Sequence, residues 1–132
     1  MNRPDWDLYF IKIAKVVAER STCPRASVGA VIVDEKHRIL STGYNGAPAG
    51  TVQCGEDGCI IVDGHCVRAI HAEQNAMEDA VDRDVDIAGA TLYYWDSKGR
   101  YAQTIEDFTK ICPICGGLAT IFCIGRICGR GL

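Results

Sequence analysis

The sequence predicts one α/β domain over residues 1–132, on three observations. An amphipathic helix signal opens the chain, two β-branched apolar runs follow as a hairpin, and helical and strand patterns then alternate to the end. Hydrophobic residues make up 48% and charged residues 23%, the balance of a soluble domain large enough to bury its own core. No internal repeat, low-complexity tract or linker divides the chain.

Asp5 or Asp7 is placed to cap a first helix, because Leu8, Ile11, Ala14, Val17 and Ala18 recur at helical spacing. The helix should stop between Arg20 and Pro24. Residues 28–33 (VGAVIV) read as a buried central strand, 34–37 as a turn containing His37, and 38–44 as the returning strand. The glycines and the Asn-Gly pair of 45–50 build a loop suited to close ligand approach, where the Asn45 amide offers both a donor and an acceptor; Asn-Gly is equally a common hairpin turn. Residues 67–82 read as a second helix and 89–95 as a third strand. The polar stretch from Asp96 to Lys110 reads as a hairpin excursion or surface loop, and the segment opened by Cys112 as a short helix despite Gly116 and Gly117. Cys123 and Cys128 read as core or surface thiols.

Charge and hydropathy exclude several partners. A net charge of −3 gives no electrostatic footing for duplex nucleic acid. No apolar run reaches membrane-spanning length, and Met1 to Asp7 does not resemble a signal peptide, so a cytoplasmic location is expected. Eight cysteines in a reducing compartment favour metal binding over disulfides.

The chemistry concentrates in two places. His71-Ala72-Glu73 stands forty-one residues before Cys112-Pro113-Ile114-Cys115, a pattern used by zinc deaminases of cytosine or adenine rings. An aromatic amine is a poor leaving group and neutral water a poor nucleophile. Zinc on one imidazole and two thiolates keeps a position open for water and lowers its pKa. If residues 71 and 73 share a helix they diverge by about 200°, which sets the Glu73 carboxylate beside the metal as a proton carrier. The second place is a glycine-rich segment with Cys54, Cys59, His65 and Cys66, joined by Cys23 from an earlier loop. Four of these five are expected to hold a structural zinc, with the choice of four open. Arg20 and Arg25, on the loop before the first strand, are candidates for clamping a phosphate.

Taken together, residues 20–23 (RSTC), 28–33, 43–46 (GYNG), 58–66 and 71–76 (HAEQNA) resemble deoxycytidylate deaminases of the cytidine deaminase superfamily, near the bacterial late-competence (ComE-type) members. The resemblance is close from Asp5 to about Met77. It implies a three-layer α/β/α sandwich around a five-stranded mixed sheet and a homo-oligomer, often a hexamer. It also implies hydrolysis of dCMP to dUMP and ammonia. His71, Cys112 and Cys115 would hold the catalytic zinc, Glu73 would move protons between water, ring N3 and the departing amine, and Asn45, Ala72, Arg20 and Arg25 would contact substrate. Many such enzymes answer to dCTP and dTTP, but here Glu78, Asp79 and Asp82 form an acidic face that would repel a triphosphate, which leaves regulation open.

The chain departs from the family pattern in three respects. Ile111 rather than proline precedes Cys112, fifteen residues (96–110) stand where relatives have a few, and 17 residues follow Cys115, which leads us to expect a shortened last strand and terminal helix. The competing readings are a deaminase of another cytosine nucleotide, nucleoside or base, and a non-catalytic zinc-binding module on the same fold.

Overall fold

A computed structural model describes residues 2–47, 51, 53, 58 and 71–132, and the backbone of 61–62 and 65–66. Helix α1 (Trp6–Ala18) is capped by Asp5, whose carboxylate accepts the Leu8 N–H at 2.7 Å, and Asp7 and Lys15 complement the helix dipole at its two ends. Its buried residues, Phe10, Ile11, Ala14 and Ala18, fall on one face at helical spacing.

Strands β1 (Val28–Val33) and β2 (Ile39–Tyr44) form the expected antiparallel hairpin. Its turn places His37 at a positive φ of 62° and stacks the imidazole on Trp6. Strands β3 (Ile61–Val62) and β4 (His65–Cys66) make a separate two-stranded pair. Helix α2 (Ala72–Asp82), strand β5 (Thr91–Asp96), helices α3 (Ile105–Ile111) and α4 (Pro113–Ile121), and strand β6 (Arg126–Gly129) complete the order.

The main sheet runs β2-β1-β5-β6, with β1 antiparallel to both neighbours and β6 parallel to β5. It is mixed, as expected, but has four strands among the described residues rather than five, because pairing goes no further than Gly129. All six residues of β1 are buried, since the strand is central and covered on both faces. Val31, Val33, Tyr93 and Cys128 pack towards α1, while Ala30, Ile32, Leu92, Tyr94 and Ile127 pack towards α2, α3 and α4. That period-2 alternation makes three layers.

Two glycines set the helices close to the sheet on opposite faces. A β-carbon at Gly29 would lie 1.9 Å from the Ala14 carbonyl oxygen of α1. One at Gly43 would lie 2.4 Å from both the Ala72 oxygen and the Ala76 nitrogen of α2. The Ser41 hydroxyl, donating to the Ala76 carbonyl at 2.8 Å, fixes α2 further. The result is a first turn of α2 held at the end of the sheet where β2 and β5 finish.

Two expectations need correction. The second helix starts at Ala72, not Val67: His71 is its N-cap in extended conformation (φ −65°, ψ 149°), and 67–70 lie outside the described residues. The stretch 96–110 is neither a hairpin nor only a loop. After a turn it forms α3, with Thr104 accepting the Asp107 N–H at 3.1 Å, Glu106 and Asp107 in the first turn and Phe108 buried. No described helix is long and apolar enough to cross a membrane.

Candidate metal centre and active site

The N-termini of α2 and α4 meet at the same end of the sheet. His71 leaves the chain one residue before α2 begins. Cys112 caps α4, its Sγ accepting the Cys115 N–H at 3.4 Å, and Cys115 lies within the first turn. Proline after Cys112 fits here, because Pro113 is the first helical residue, where no N–H is needed.

The imidazole Nδ1 of His71 is 3.3 Å from both the Cys112 and the Cys115 Sγ, and all three ligand atoms lie within 4.8 Å of one another. Tetrahedral zinc with ordinary Zn–S and Zn–N bonds needs ligand separations of about 3.5–3.8 Å, so the donor set and its spacing fit that ion. His71 is exposed, Cys112 half-buried and Cys115 buried, so the cluster opens towards solvent on the His71 side.

Electrostatics separate the members. The Cys112 thiol is drawn down to about 4, first by the hydrogen bond it shares with Cys115 and then, against its burial, by His71. Cys115 moves the other way, raised by that same bond and by burial. His71 is raised chiefly by its bond to the Cys112 thiolate. Thiolate character at a helix N-terminus is what a soft divalent cation requires.

Glu73, in the first turn of α2, is buried, with Oε2 3.9 Å from the Cys115 Sγ. Burial pushes its carboxyl above the usual range, favouring the protonated form. Its neighbour Ala72 is completely buried, its side chain packed within the core.

The other predicted site residues divide. Asn45 is buried at the same end of the sheet; its Oδ1 accepts the Val28 N–H at 2.9 Å and its Nδ2 donates to the Ala26 carbonyl at 2.8 Å. The amide therefore staples the exit of β2 to the entrance of β1, with one N–H and one lone pair left over among the described residues. Arg20 and Arg25 are exposed and make no ion pair among the described residues. Cys23 is buried. Cys54 and Cys59, and the side chains of His65 and Cys66, lie outside the described residues. Asn75 donates to the carbonyl of Tyr44, the last residue of β2, at 2.9 Å.

Sequence reasoning missed Asp96. This carboxylate is 6% exposed at the end of β5, opposite Val28 in the sheet. It accepts the Lys98 N–H at 2.8 Å and the Arg100 Nε–H at 2.9 Å. The available signal was the Asp-x-x-x-Arg spacing directly after an apolar strand.

The α/β/α sandwich, with one imidazole and two thiols converging at two helix N-termini beside a buried carboxyl, places the protein among α/β/α domains with a zinc-competent centre. Within that class the chain belongs to the family described as the cytidine and deoxycytidylate deaminase zinc-binding region, whose model matches residues 4–129. It is 47% identical over 93 residues to ComE operon protein 2 of Bacillus subtilis (strain 168), covering 70% of this chain and 49% of that one. It is also 47% identical over 105 residues to the deoxycytidylate deaminase of Mycobacterium phage D29, covering 70% of this chain and 79% of that protein. The match thus spans about half the length of the Bacillus relative and most of the phage one. Among solved structures, the apo dCMP deaminase of cyanophage S-TIM5 aligns with a TM-score of 0.71 at 24% identity, covering 98% of this chain and 85% of that one. That likeness supports the fold.

Proposed function

We propose that the protein hydrolyses dCMP to dUMP and ammonia, with zinc on His71, Cys112 and Cys115. The observation carrying this reading is the convergence of His71 Nδ1 and both thiols within 4.8 Å, beside the buried Glu73. The kinship with the Mycobacterium phage D29 deoxycytidylate deaminase supports the choice of substrate. Zinc, when bound, supplies a water of lowered pKa and a Lewis acid.

The protein's own residues do the rest. Glu73 accepts a proton from the attacking water and passes it to ring N3 as C4 is attacked, then takes the remaining proton of that oxygen and gives it to the departing amine as the C4–N bond breaks. Its burial suits this, because penalising the charged form strengthens the carboxyl's hold on the proton it carries. Asn45 contacts the sugar or base through the N–H and lone pair it keeps. Four of Cys23, Cys54, Cys59, His65 and Cys66 hold a second, structural zinc, and the protein works in the cytoplasm as a homo-oligomer.

The test is ammonia release, or loss of cytosine absorbance, from zinc-loaded protein given dCMP, CMP, dCTP and deoxycytidine in parallel, with and without added dCTP. Selective turnover of dCMP supports the reading; silence on all four with zinc still bound overturns it. Metal analysis of the same sample is expected to give about two zincs per chain, and a count near one removes the second site.

A further inference from the structure

We propose that Arg100, aimed by the buried Asp96, is the residue through which this site recognises an anionic substituent, the phosphate monoester of a nucleotide. The inference rests on the deaminase reading for the identity of the ligand, but its geometry stands on the 96–104 segment alone.

The segment is a built turn. Gly99 adopts a positive φ of 70° and donates its N–H to the Asp96 carbonyl at 3.0 Å. The Tyr94 hydroxyl donates to the Arg100 carbonyl at 3.0 Å and accepts the Ala102 N–H at 2.6 Å. The Tyr101 hydroxyl donates to the Asp96 carbonyl at 2.8 Å. Both sides of Arg100 are therefore tied to the end of β5. The turn is also joined to the loop before β1, because Ser97 donates its N–H to the Ser27 carbonyl and Ser27 donates its N–H to the Ser97 hydroxyl, both at 2.9 Å. Asn45 grips the next carbonyl back, that of Ala26. Arg100 thus stands at the end of the sheet where Asn45, Glu73 and the metal-ligand cluster gather.

Asp96 then fixes the direction of the side chain. Its buried carboxylate takes only the Nε–H of Arg100, at 2.9 Å, and no other described group bonds the two terminal guanidinium nitrogens. Those nitrogens form the planar fork that matches a phosphate. The side chain is 55% exposed, so the fork faces solvent from a rigid base. Asp96 nominally cancels the charge of Arg100, so what remains is a fork of oriented donors. Among the described residues, Arg38, Arg83 and Arg126 are held in ion pairs elsewhere, and no ion pair to a carboxylate fixes Arg20 or Arg25.

The experiment is calorimetric titration of the zinc-loaded protein with dUMP and with deoxyuridine, comparing wild type, Arg100→Ala, Asp96→Asn and Arg25→Ala. The readout is the ratio of the two dissociation constants, which loss of a merely structural group leaves unchanged. Arg100→Ala is expected to lower the preference for dUMP about 10- to 100-fold, the worth of a bidentate charge-assisted contact. Asp96→Asn should lower it by less, and Arg25→Ala by less than Arg100→Ala. An unchanged ratio in Arg100→Ala, or a wild type that binds both ligands alike, overturns the proposal. Binding and turnover fail separately: dCMP hydrolysis with an unchanged ratio removes Arg100 and keeps the deaminase, whereas an Arg100-dependent ratio without hydrolysis does the reverse.

Discussion

The two ends of the sheet both gather charged side chains, and they treat them in opposite ways. At the end where β1 finishes and β6 begins, Asp7 accepts both terminal nitrogens of Arg126, at 2.9 and 2.7 Å, and the Tyr93 hydroxyl at 2.7 Å. Asp34 accepts the Lys36 and Arg38 N–H groups and the Arg38 Nε–H. Trp6 and His37 stack with ring centroids 4.0 Å apart. A cleft of about 460 Å3 lies among these groups, and the Asp7 and Asp34 carboxylates that line it are each held by an arginine. At the other end the donors converge without satisfying one another: two thiols share one imidazole nitrogen, and a buried carboxyl faces a sulfur at 3.9 Å. The carboxyl groups report the difference most clearly. Asp7 is lowered to about 2, first by its bond to Arg126, whereas Glu73 is raised by burial. A closed network stabilises the charge it holds; a working site keeps a group in a form that must change during reaction.

Changes at either end sharpen the contrast. The largest effect is expected from Cys115→Ser, which removes a buried ligand: zinc content at the catalytic centre should fall to near zero, with turnover lost beyond detection. Retained zinc would show that the cluster is not the metal site. Gly43→Val comes next. Its side chain would collide with the first turn of α2, so a destabilisation of about 1–3 kcal/mol is expected together with reduced turnover, read by denaturant unfolding and kinetics. The opposite end should respond in stability alone. Asp7→Asn is expected to lose about 1 kcal/mol at neutral pH, a figure discounted because the pair is partly exposed, with no change in kcat.

The sign of the pH dependence follows from the same pair. Asp7 has a folded pKa of about 2 against an ordinary 3.8, so the unfolded chain binds its proton first as pH falls. The contribution of Asp7 is complete above about pH 4–5 and is lost as pH falls from there towards 2. Asp7→Asn should flatten that part of the stability curve, measured by Tm across the acid range. An unchanged acid limb would mean that other carboxylates carry it.

Much of this was legible in the sequence, for physical reasons that differ by element. Helix α1 and strands β1 and β2 carry strong apolar periodicity between capping and turn residues, and the structure places them within a residue or two of expectation. The candidate metal centre was legible from residue types, because a His-x-Glu and a Cys-x-x-Cys restrict the chemistry more than they restrict the conformation. The start of α2 was not, since histidine carries no usual N-cap signature and the helical pattern of 67–82 runs through it. Helix α3 escaped because it buries little besides Phe108 and its polar surface reads as a loop. Asp96 and Arg100 escaped for a tertiary reason. Their importance arises from the register that sets Asp96 opposite Val28, and no local pattern encodes that pairing. The four-stranded extent of the sheet depends likewise on pairing rather than on pattern.

The account turns on Glu73 as a proton carrier beside a metal it does not hold. The most direct measurement is ammonia release from dCMP together with zinc content in Glu73→Gln, beside wild type. The expected result is turnover reduced at least about 10³-fold with zinc content unchanged, since the amide keeps the shape of the carboxyl and cannot carry its proton. Turnover near that of wild type, or loss of zinc along with activity, would contradict the role assigned to Glu73.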